Sequence, residues 1–138
     1  MEQIKYFTYA TPKPFGGFVM PVPAQNSCMR EYVSRQGGAY VLPLLELMYE
    51  ECHLQLFRLL ESVPNNSELC AYSALMLPRA QNKIDKIDRL LLSKNLIFHF
   101  VFERLIIKSA LEMQDIFKNE KLSSLIACDS VEVFSLLN

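Results

Sequence analysis

Polar and charged residues that could bind or process a ligand recur where the chain leaves its apolar segments. They are Gln25, Asn26, Arg30, Glu46, Ser73, Arg79 and Glu103. Carboxylates supply the proton transfers of general acid–base catalysis, so Glu46 and Glu103 are the catalytic candidates. The amide, hydroxyl and guanidinium groups of the other five are the substrate-binding candidates, and Arg30 would hold an anionic group.

These residues follow, or in the case of Ser73 flank, the ends of four apolar runs with strand-like composition, at residues 17–22, 39–45, 69–77 and 96–102. The first run leads through Pro21 and Pro23 into Gln25 and Asn26. Helical periodicity marks residues 25–36, 51–63 and a third segment carrying Ala80, Ile84, Ile87 and Leu91. A short edge strand is predicted at residues 6–9. Pro43 favours an edge position for the second run.

The alternation of strands and helices predicts an α/β fold. We expect a single domain with a mostly parallel four-stranded sheet flanked by helices, in a flavodoxin- or resolvase-like order β-α-β-α-β-α-β-α. The carboxyl ends of parallel strands share one edge, where open α/β sheets bind ligands, so the candidates would converge there. An all-helical fold is the alternative, because residues 40–63 could form one helix with Pro43 in its first turn.

Composition limits the class of protein. The 138 residues suit one domain, 1–138, with 51% hydrophobic and 21% charged residues and a net charge of -1. We predict an irregular segment at 1–15, a helix from Ala110 and a helical segment at 120–138, the last two from capping-box patterns at 109–112 and 129–132. No basic run favours nucleic-acid binding, and no 18-residue apolar stretch favours a membrane span. Without a signal-peptide pattern, a cytoplasmic location is expected.

The cysteines and histidines give no metal-ligand spacing. Cys28, Cys52, Cys70 and Cys128 form no C-x-x-C pair, and neither His53 nor His99 is spaced from a cysteine as zinc ligands are. We therefore expect reduced thiols, no metal and no cofactor. His99 alternates with aromatic residues and is interpreted as a core or interface histidine.

Each candidate also has a structural interpretation. Gln25 and Asn26 could cap the first helix instead of contacting a ligand. Arg30 lies against the helix macrodipole, which indicates an anionic partner: a ligand, Glu46 or Glu103. Glu46 interrupts an apolar run and needs a partner if buried, and Glu103 could be a solvated strand end.

Four motifs carry a family resemblance: residues 23–26 followed by 30–32, then 45–46, 72–78 and 98–103. Over residues 15–117 the chain resembles a family of short proteins encoded in sporadically distributed bacterial surface-carbohydrate gene clusters. Glu31 keeps the acidic residue that follows the arginine, whereas Cys52-His53 replaces the family's Ser-aromatic pair. The element order is also similar to serine-recombinase catalytic domains. Val22 and Pro23 stand where their nucleophile would be, so that likeness concerns the fold alone.

The resemblance implies a role in surface-polysaccharide or lipopolysaccharide sugar biosynthesis. A sugar or nucleotide-sugar intermediate is the expected ligand, with Glu46 or Glu103 on its hydroxyls or as acid–base groups. No G-x-G-x-x-G follows a strand, and neither a P-loop nor a G-x-S-x-G is present. The alternative is a non-catalytic homodimeric interaction, scaffold or regulatory protein, which the apolar residues of 122–137 favour.

Overall fold

One mixed sheet organises the residues that the computed structural model describes, 3–17, 19–49 and 52–109. The elements in chain order are β1 (Lys5–Ala10), α1 (Val22–Arg35), β2 (Ala39–Tyr40), β3 (Leu44–Leu45), α2 (Leu54–Ser62), β4 (Glu68–Ala71), a 3₁₀ turn (Ala74–Met76), α3 (Gln81–Ser93), β5 (Ile97–Phe100) and β6 (Leu105–Ile107). The predicted α/β class with a mostly parallel sheet is confirmed. The predicted count of four strands is wrong, because six strand segments pair in this sheet.

The first strand lies in the middle of the sheet. Across the sheet the order is β2, β1, β4, β5 and β6, and β3 also pairs with β1. The pairs that β1 forms with β2, β3 and β4 are parallel, as is the β4–β5 pair, whereas β6 is antiparallel to β5. Tyr6 pairs with Tyr40 on one side and with Glu68 on the other. The prediction of a short edge strand at 6–9 is therefore wrong in position: this segment is central, and its burial on both faces follows from that.

Residues 17–22 were predicted as the first strand, but the described ones among them, 17 and 19–22, form no strand. Gly16 and Gly17 have φ angles of 58° and 84°, in the left-handed region that breaks an extended strand. Pro21 is the N-cap of α1 and a proline occupies its first turn, where the missing N–H costs no helical hydrogen bond. The glycine pair and the two prolines make this stretch a loop and a helix start.

Pro43 divides the edge of the sheet into two short strands. β2 pairs with the beginning of β1 and β3 with its end, and residues 41–43 lie between them. Thr8 Oγ1 donates to the carbonyl of Val41 across this gap. Proline has no N–H for the ladder, so the predicted edge position of this run is confirmed.

Helices cover both faces of the sheet. α1 packs through Met29 and Val33 against Tyr6, Ala10 and Cys70 on one face. On the other face α2 and α3 bury a larger cluster, which contains Tyr9, Leu56, Leu60, Leu69, Ile87, Leu91, Phe98 and Phe100. The three predicted helices are present with boundaries shifted by a few residues, and the all-helical alternative is wrong.

The predicted strand at 69–77 ends early, at Ala71. Ser73 then caps the 3₁₀ turn by accepting a hydrogen bond from the Leu75 amide at 3.1 Å, so the chain turns instead of extending. The predicted helix from Ala110, the helical segment 120–138 and Cys128 lie outside the described residues. Within those residues Cys28, Cys52 and Cys70 are free thiols, and no helix is long and apolar enough to cross a membrane.

Candidate functional site

The chain changes direction across the sheet between β1 and β4. From β1 it passes through α1 on one face to the β2–β3 edge, then through α2 on the other face to β4. Connections that diverge from neighbouring parallel strands leave a crevice at their carboxyl ends, where ligands of open α/β sheets bind. Two depressions occur near this edge among the described residues, and they share two of their lining residues, Phe15 and Leu75.

We call the first depression the aromatic cavity. It has a volume of about 190 Å³ and is lined by Phe15, Val19, Met20, Tyr72, Ser73, Leu75 and Phe102. The Tyr72 ring lies 6.1 Å from the Phe15 ring and 5.8 Å from the Phe102 ring, between centroids. Ser73 brings a hydroxyl to this apolar wall. The volume is smaller than that of cavities enclosing a drug-sized ligand, so it suits one part of a ligand.

A half-buried carboxyl group stands behind that hydroxyl. Glu103 Oε2 accepts a hydrogen bond from Ser73 Oγ at 2.6 Å, and Oε1 accepts one from the Ala74 amide at 3.0 Å. Burial raises the pKa of Glu103, and the bonds from Ser73 and Ala74 offset part of that rise. A carboxyl that holds its proton to higher pH beside a serine hydroxyl is suited to exchanging protons with a ligand.

We call the second depression the basic groove. Its volume is about 560 Å³, and its lining residues are Thr11, Lys13, Pro14, Phe15, Gly16, Met48, His53, Leu75, Met76, Leu77, Pro78, Arg79 and Ala80. Lys13 Nζ donates to the carbonyl of Tyr49 at 3.1 Å and to that of Cys52. His53 Nδ1 lies 3.4 Å from Lys83 Nζ. The described lining therefore carries basic side chains and no carboxylate.

Glycine is required where the two depressions meet. Gly16 has a φ of 58°, and a Cβ placed on it would collide with Cδ1 of Leu75. Leu75 lines both depressions, so its side chain has space to turn away, and the positive φ of Gly16 is the firmer reason for glycine here.

Glu46 is held by interactions within the protein. Its two oxygens accept from the Tyr9 hydroxyl at 2.9 Å, the Leu47, Gln55 and Leu56 amides at 3.1–3.2 Å, and the Cys52 thiol at 3.4 Å. Burial alone would raise its pKa, but the amide bonds together with the tyrosine hydroxyl outweigh this and lower it. Glu46 is thus a carboxylate that caps α2 and joins it to β1 and β3.

Gln25 is likewise engaged inside the protein, and is fully buried. Its Oε1 accepts from the Thr11 amide at 3.2 Å, while Nε2 donates to the carbonyls of Thr11 at 2.7 Å and Met20 at 2.8 Å. These bonds fasten the end of β1 to the start of α1. Asn26, in the next position, has a buried Oδ1 with no hydrogen-bond partner in the described structure.

The two predicted arginines have different places. Arg79 is exposed and lines the basic groove. Arg30 is exposed on α1 and lies over the Tyr40 ring, 5.0 Å from its centroid, a cation–π contact outside both depressions. The structure therefore brings Ser73 and Glu103 together, with Arg79 on the adjoining groove, and does not bring Arg30 to them.

His99 is 4% exposed, and both of its ring nitrogens have partners. Nδ1 lies 2.6 Å from the Tyr32 hydroxyl and Nε2 lies 3.2 Å from Glu68 Oε1. The Tyr6 ring contacts it edge-on, with centroids 5.2 Å apart. This is the environment of a satisfied core histidine linking α1 to the sheet.

Sequence reasoning missed residues of the loop after β1 and of the approach to α2. Lys13, Phe15 and His53 all line the depressions, yet none was predicted as a site residue. If residues 5–10 are placed in the parallel sheet, Lys13 and Phe15 lie shortly after the carboxyl end of a strand. That position would have identified them as candidate site residues.

No group of three His, Cys, Asp or Glu side chains in ranges 3–17, 19–49 and 52–109 is arranged to hold a metal ion. Comparisons with protein-family models, curated proteins and solved structures find no match.

Proposed function

We propose that this protein binds a sugar or nucleotide-sugar intermediate of surface-polysaccharide or lipopolysaccharide biosynthesis at the carboxyl edge of its sheet. The observation that carries the proposal is the aromatic cavity with Ser73 in its wall and Glu103 hydrogen-bonded to the Ser73 hydroxyl. Aromatic rings offer flat faces to the C–H surface of a sugar ring, and a hydroxyl backed by a carboxylate suits exchange of hydrogen bonds with sugar hydroxyls. The surface-glycan context comes from the resemblance of residues 15–117.

Of the two carboxylates, Glu103 is the better candidate for a role in ligand binding, because it is hydrogen-bonded to Ser73, which lines the cavity. Glu46 has five donors on its two oxygens, whereas Glu103 accepts from the Ser73 hydroxyl and the Ala74 amide. The rise in the pKa of Glu103 favours a proton-exchanging role, and the fall in the pKa of Glu46 favours a permanently ionised structural role.

A thermal-shift panel of nucleotide sugars, sugar phosphates and neutral sugars tests the proposal. A ligand that binds only the folded protein raises its Tm, by a few degrees when present well above its Kd. We expect Ser73→Ala to lose at least half of the ligand-induced shift, because it removes the only hydroxyl in the described cavity wall apart from that of Tyr72. Ser62→Ala, on the exposed surface of α2, is the matched control and should keep the shift.

Two outcomes would count against this site. The first is a panel in which no compound stabilises the wild type. The second is a shift that Arg30→Ala abolishes and Ser73→Ala leaves intact, which would place the ligand on the Arg30–Tyr40 surface.

A homodimeric interaction or scaffold protein is the second candidate, favoured by exposed apolar residues at the β3 edge of the sheet. They are Leu42, Leu44, Leu45, Leu47, Met48, Tyr49 and Leu54. Leu42 is 76% and Tyr49 73% exposed. Exposed apolar clusters of this kind mark interaction surfaces, and an edge strand offers unpaired backbone groups to a second copy.

Light scattering on the eluting protein tests this alternative. We expect a twofold-symmetric dimer to give twice the mass of one chain, and the double variant Leu42→Glu/Leu45→Glu to give the mass of one. Leu92→Glu, at a 59% exposed leucine of α3, is the control that should not change the mass. A wild-type protein that remains monomeric at about 100 μM would rule out a stable dimer of this kind.

A further inference from the structure

The basic groove holds a lysine whose position is fixed, among the residues that the structure describes, by two backbone carbonyls. Lys13 Nζ donates to the backbone carbonyls of Tyr49 and Cys52, both neutral acceptors. An ammonium group has three N–H donors, so one remains for another partner. None of the ion pairs of the described structure involves Lys13. Its positive charge is therefore held in place and available to an anion at the groove.

Two further basic side chains line the same groove. Arg79 is exposed there, and its planar guanidinium can bind two oxygens of a phosphate at once. His53 lies at the N-terminus of α2 and offers a ring N–H donor. The described lining residues include neither aspartate nor glutamate, so nothing among them opposes an anion.

The start of α3 adds to the positive charge of the groove. Ala80 lines the groove and is the N-cap of α3, which has no side-chain cap and no acidic residue in its first turn. The first amides of the helix thus keep their partial positive charge on the same side as Arg79.

We infer that the basic groove is an anion subsite that takes the phosphate or diphosphate of the ligand, which makes a phosphorylated sugar or nucleoside diphosphate sugar the ligand class. The inference rests on the proposed function for the sugar half. The groove and the aromatic cavity meet at Phe15 and Leu75, so one molecule can place its sugar against Tyr72 and its phosphates beside Lys13. The groove, at about 560 Å³, has room for a diphosphate and its water.

Titration calorimetry with inorganic pyrophosphate tests the subsite directly. We expect pyrophosphate to bind the wild type, Lys13→Gln to weaken binding about tenfold and Arg79→Gln about three- to tenfold. Lys5→Gln is a matched control, because Lys5 is exposed at the opposite end of β1, and Arg58→Gln on the exposed side of α2 is the second. Both controls should stay within about twofold, since they remove the same charge outside the groove.

Lys13 also links β1 to the approach to α2, so circular dichroism must show that Lys13→Gln is folded. If it is not, Arg79→Gln carries the test, because Arg79 is exposed. The subsite is refuted if pyrophosphate does not bind the wild type, or if the two control variants weaken binding as much as the groove variants do.

The same titration with a nucleoside diphosphate sugar from the panel shows whether the groove binds the diphosphate of a sugar ligand or a free inorganic anion. We expect that compound to bind more tightly than pyrophosphate, with a dependence on both Lys13 and Ser73. Equal affinity for pyrophosphate, unaffected by Ser73→Ala, would overturn the assignment and leave a site for a free inorganic anion. A neutral sugar that binds through Ser73 in a protein that does not bind pyrophosphate would retain the proposed function and reject the subsite. Pyrophosphate binding that depends on Lys13, with no sugar compound binding, would retain the subsite and reject the proposed function.

Discussion

Glu46→Gln is expected to lower the free energy of unfolding by about 2–3 kcal/mol at neutral pH. The carboxylate is 3% exposed and accepts five hydrogen bonds, three of them from backbone amides. A glutamine keeps one acceptor oxygen and turns an NH₂ group towards donors. Buried donors that lose their acceptor cannot reach water, and α2 loses the charge that caps its first turn.

The acid sensitivity of the protein should fall in the same variant. The pKa of Glu46 is lower in the folded chain than in the unfolded one, so its stabilisation is complete above the unfolded pKa and is lost as pH falls through the folded value. The wild type should therefore lose more stability than Glu46→Gln between neutral and acid pH. Urea unfolding at a series of pH values measures both effects.

Glu61→Gln is the control for this prediction. Glu61 is exposed on α2 and pairs with Lys86 at the surface, a contact worth about 0.5 kcal/mol or less. Equal losses in the Glu46 and Glu61 variants would show that the capping interaction is not what stabilises the start of α2.

Glu103→Gln is expected to weaken binding of the sugar ligand about tenfold while the protein stays folded. In the wild type the ionised carboxylate accepts a hydrogen bond from the Ser73 hydroxyl, which leaves the hydroxyl oxygen free to accept one from a ligand. A glutamine whose oxygen stays on the Ala74 amide turns its NH₂ towards Ser73. Ser73 Oγ, which already accepts from Leu75, then directs its own proton into the cavity. The group that the ligand meets changes from an acceptor to a donor.

Protonation of Glu103 reverses the Ser73 hydroxyl in the same way. Because burial raises the pKa of Glu103, this should occur at higher pH than for an ordinary glutamate, and wild-type binding should weaken as pH falls through that pKa. Ionised Glu103 also opposes folding, so its contribution to stability is greatest below the unfolded pKa and is lost as pH rises through the folded value. The variant should thus be at least as stable as the wild type at neutral pH.

Calorimetric titration of the panel ligand against pH, for the wild type and Glu103→Gln, measures this prediction. The variant should bind with little pH dependence and resemble the wild type at acid pH. Glu31→Gln, at an exposed glutamate of α1 paired with Arg35, is the control and should keep the wild-type profile. Parallel pH profiles for the wild type and Glu103→Gln would show that Glu103 does not set the polarity of Ser73.

Helical periodicity predicted the helices well, because each helix has an apolar face that is buried against the sheet. Ile84, Ile87 and Leu91 were read as one stripe and are buried together in α3. The central strand was harder to find. Residues 6–9 were predicted as a short edge strand, yet Tyr6 and Tyr9 are buried on opposite faces because helices cover both. Whether a tyrosine is buried depends on the elements that pack against it, and the spacing of apolar residues along its own strand does not reveal this.

The carboxyl edge of the sheet was predictable, but the role of each residue there was not. Ser73 was assigned to this edge because it flanks the end of the third strand, and Glu103 because it follows the fourth; they are hydrogen-bonded to each other. Glu46 came from the same reasoning, yet its oxygens face the first amides of α2. Where a carboxylate points depends on the path of residues 47–53, which contain no periodic pattern. Lys13 was missed because the strand before it was placed at the edge of the sheet.

The central place of β1 also bears on how the chain folds as it leaves the ribosome. β1 is made before the other described strands, but its partner β4 comes only after α1, both edge strands and α2. Until then one side of β1 has no ladder, and Tyr9 lacks the cover that Leu69 and Phe98 give it. Pairing between such distant segments closes slowly, and apolar surface stays open to other chains in the interval. A nascent chain that stops short of β4 would therefore be the form of this protein most in need of a chaperone.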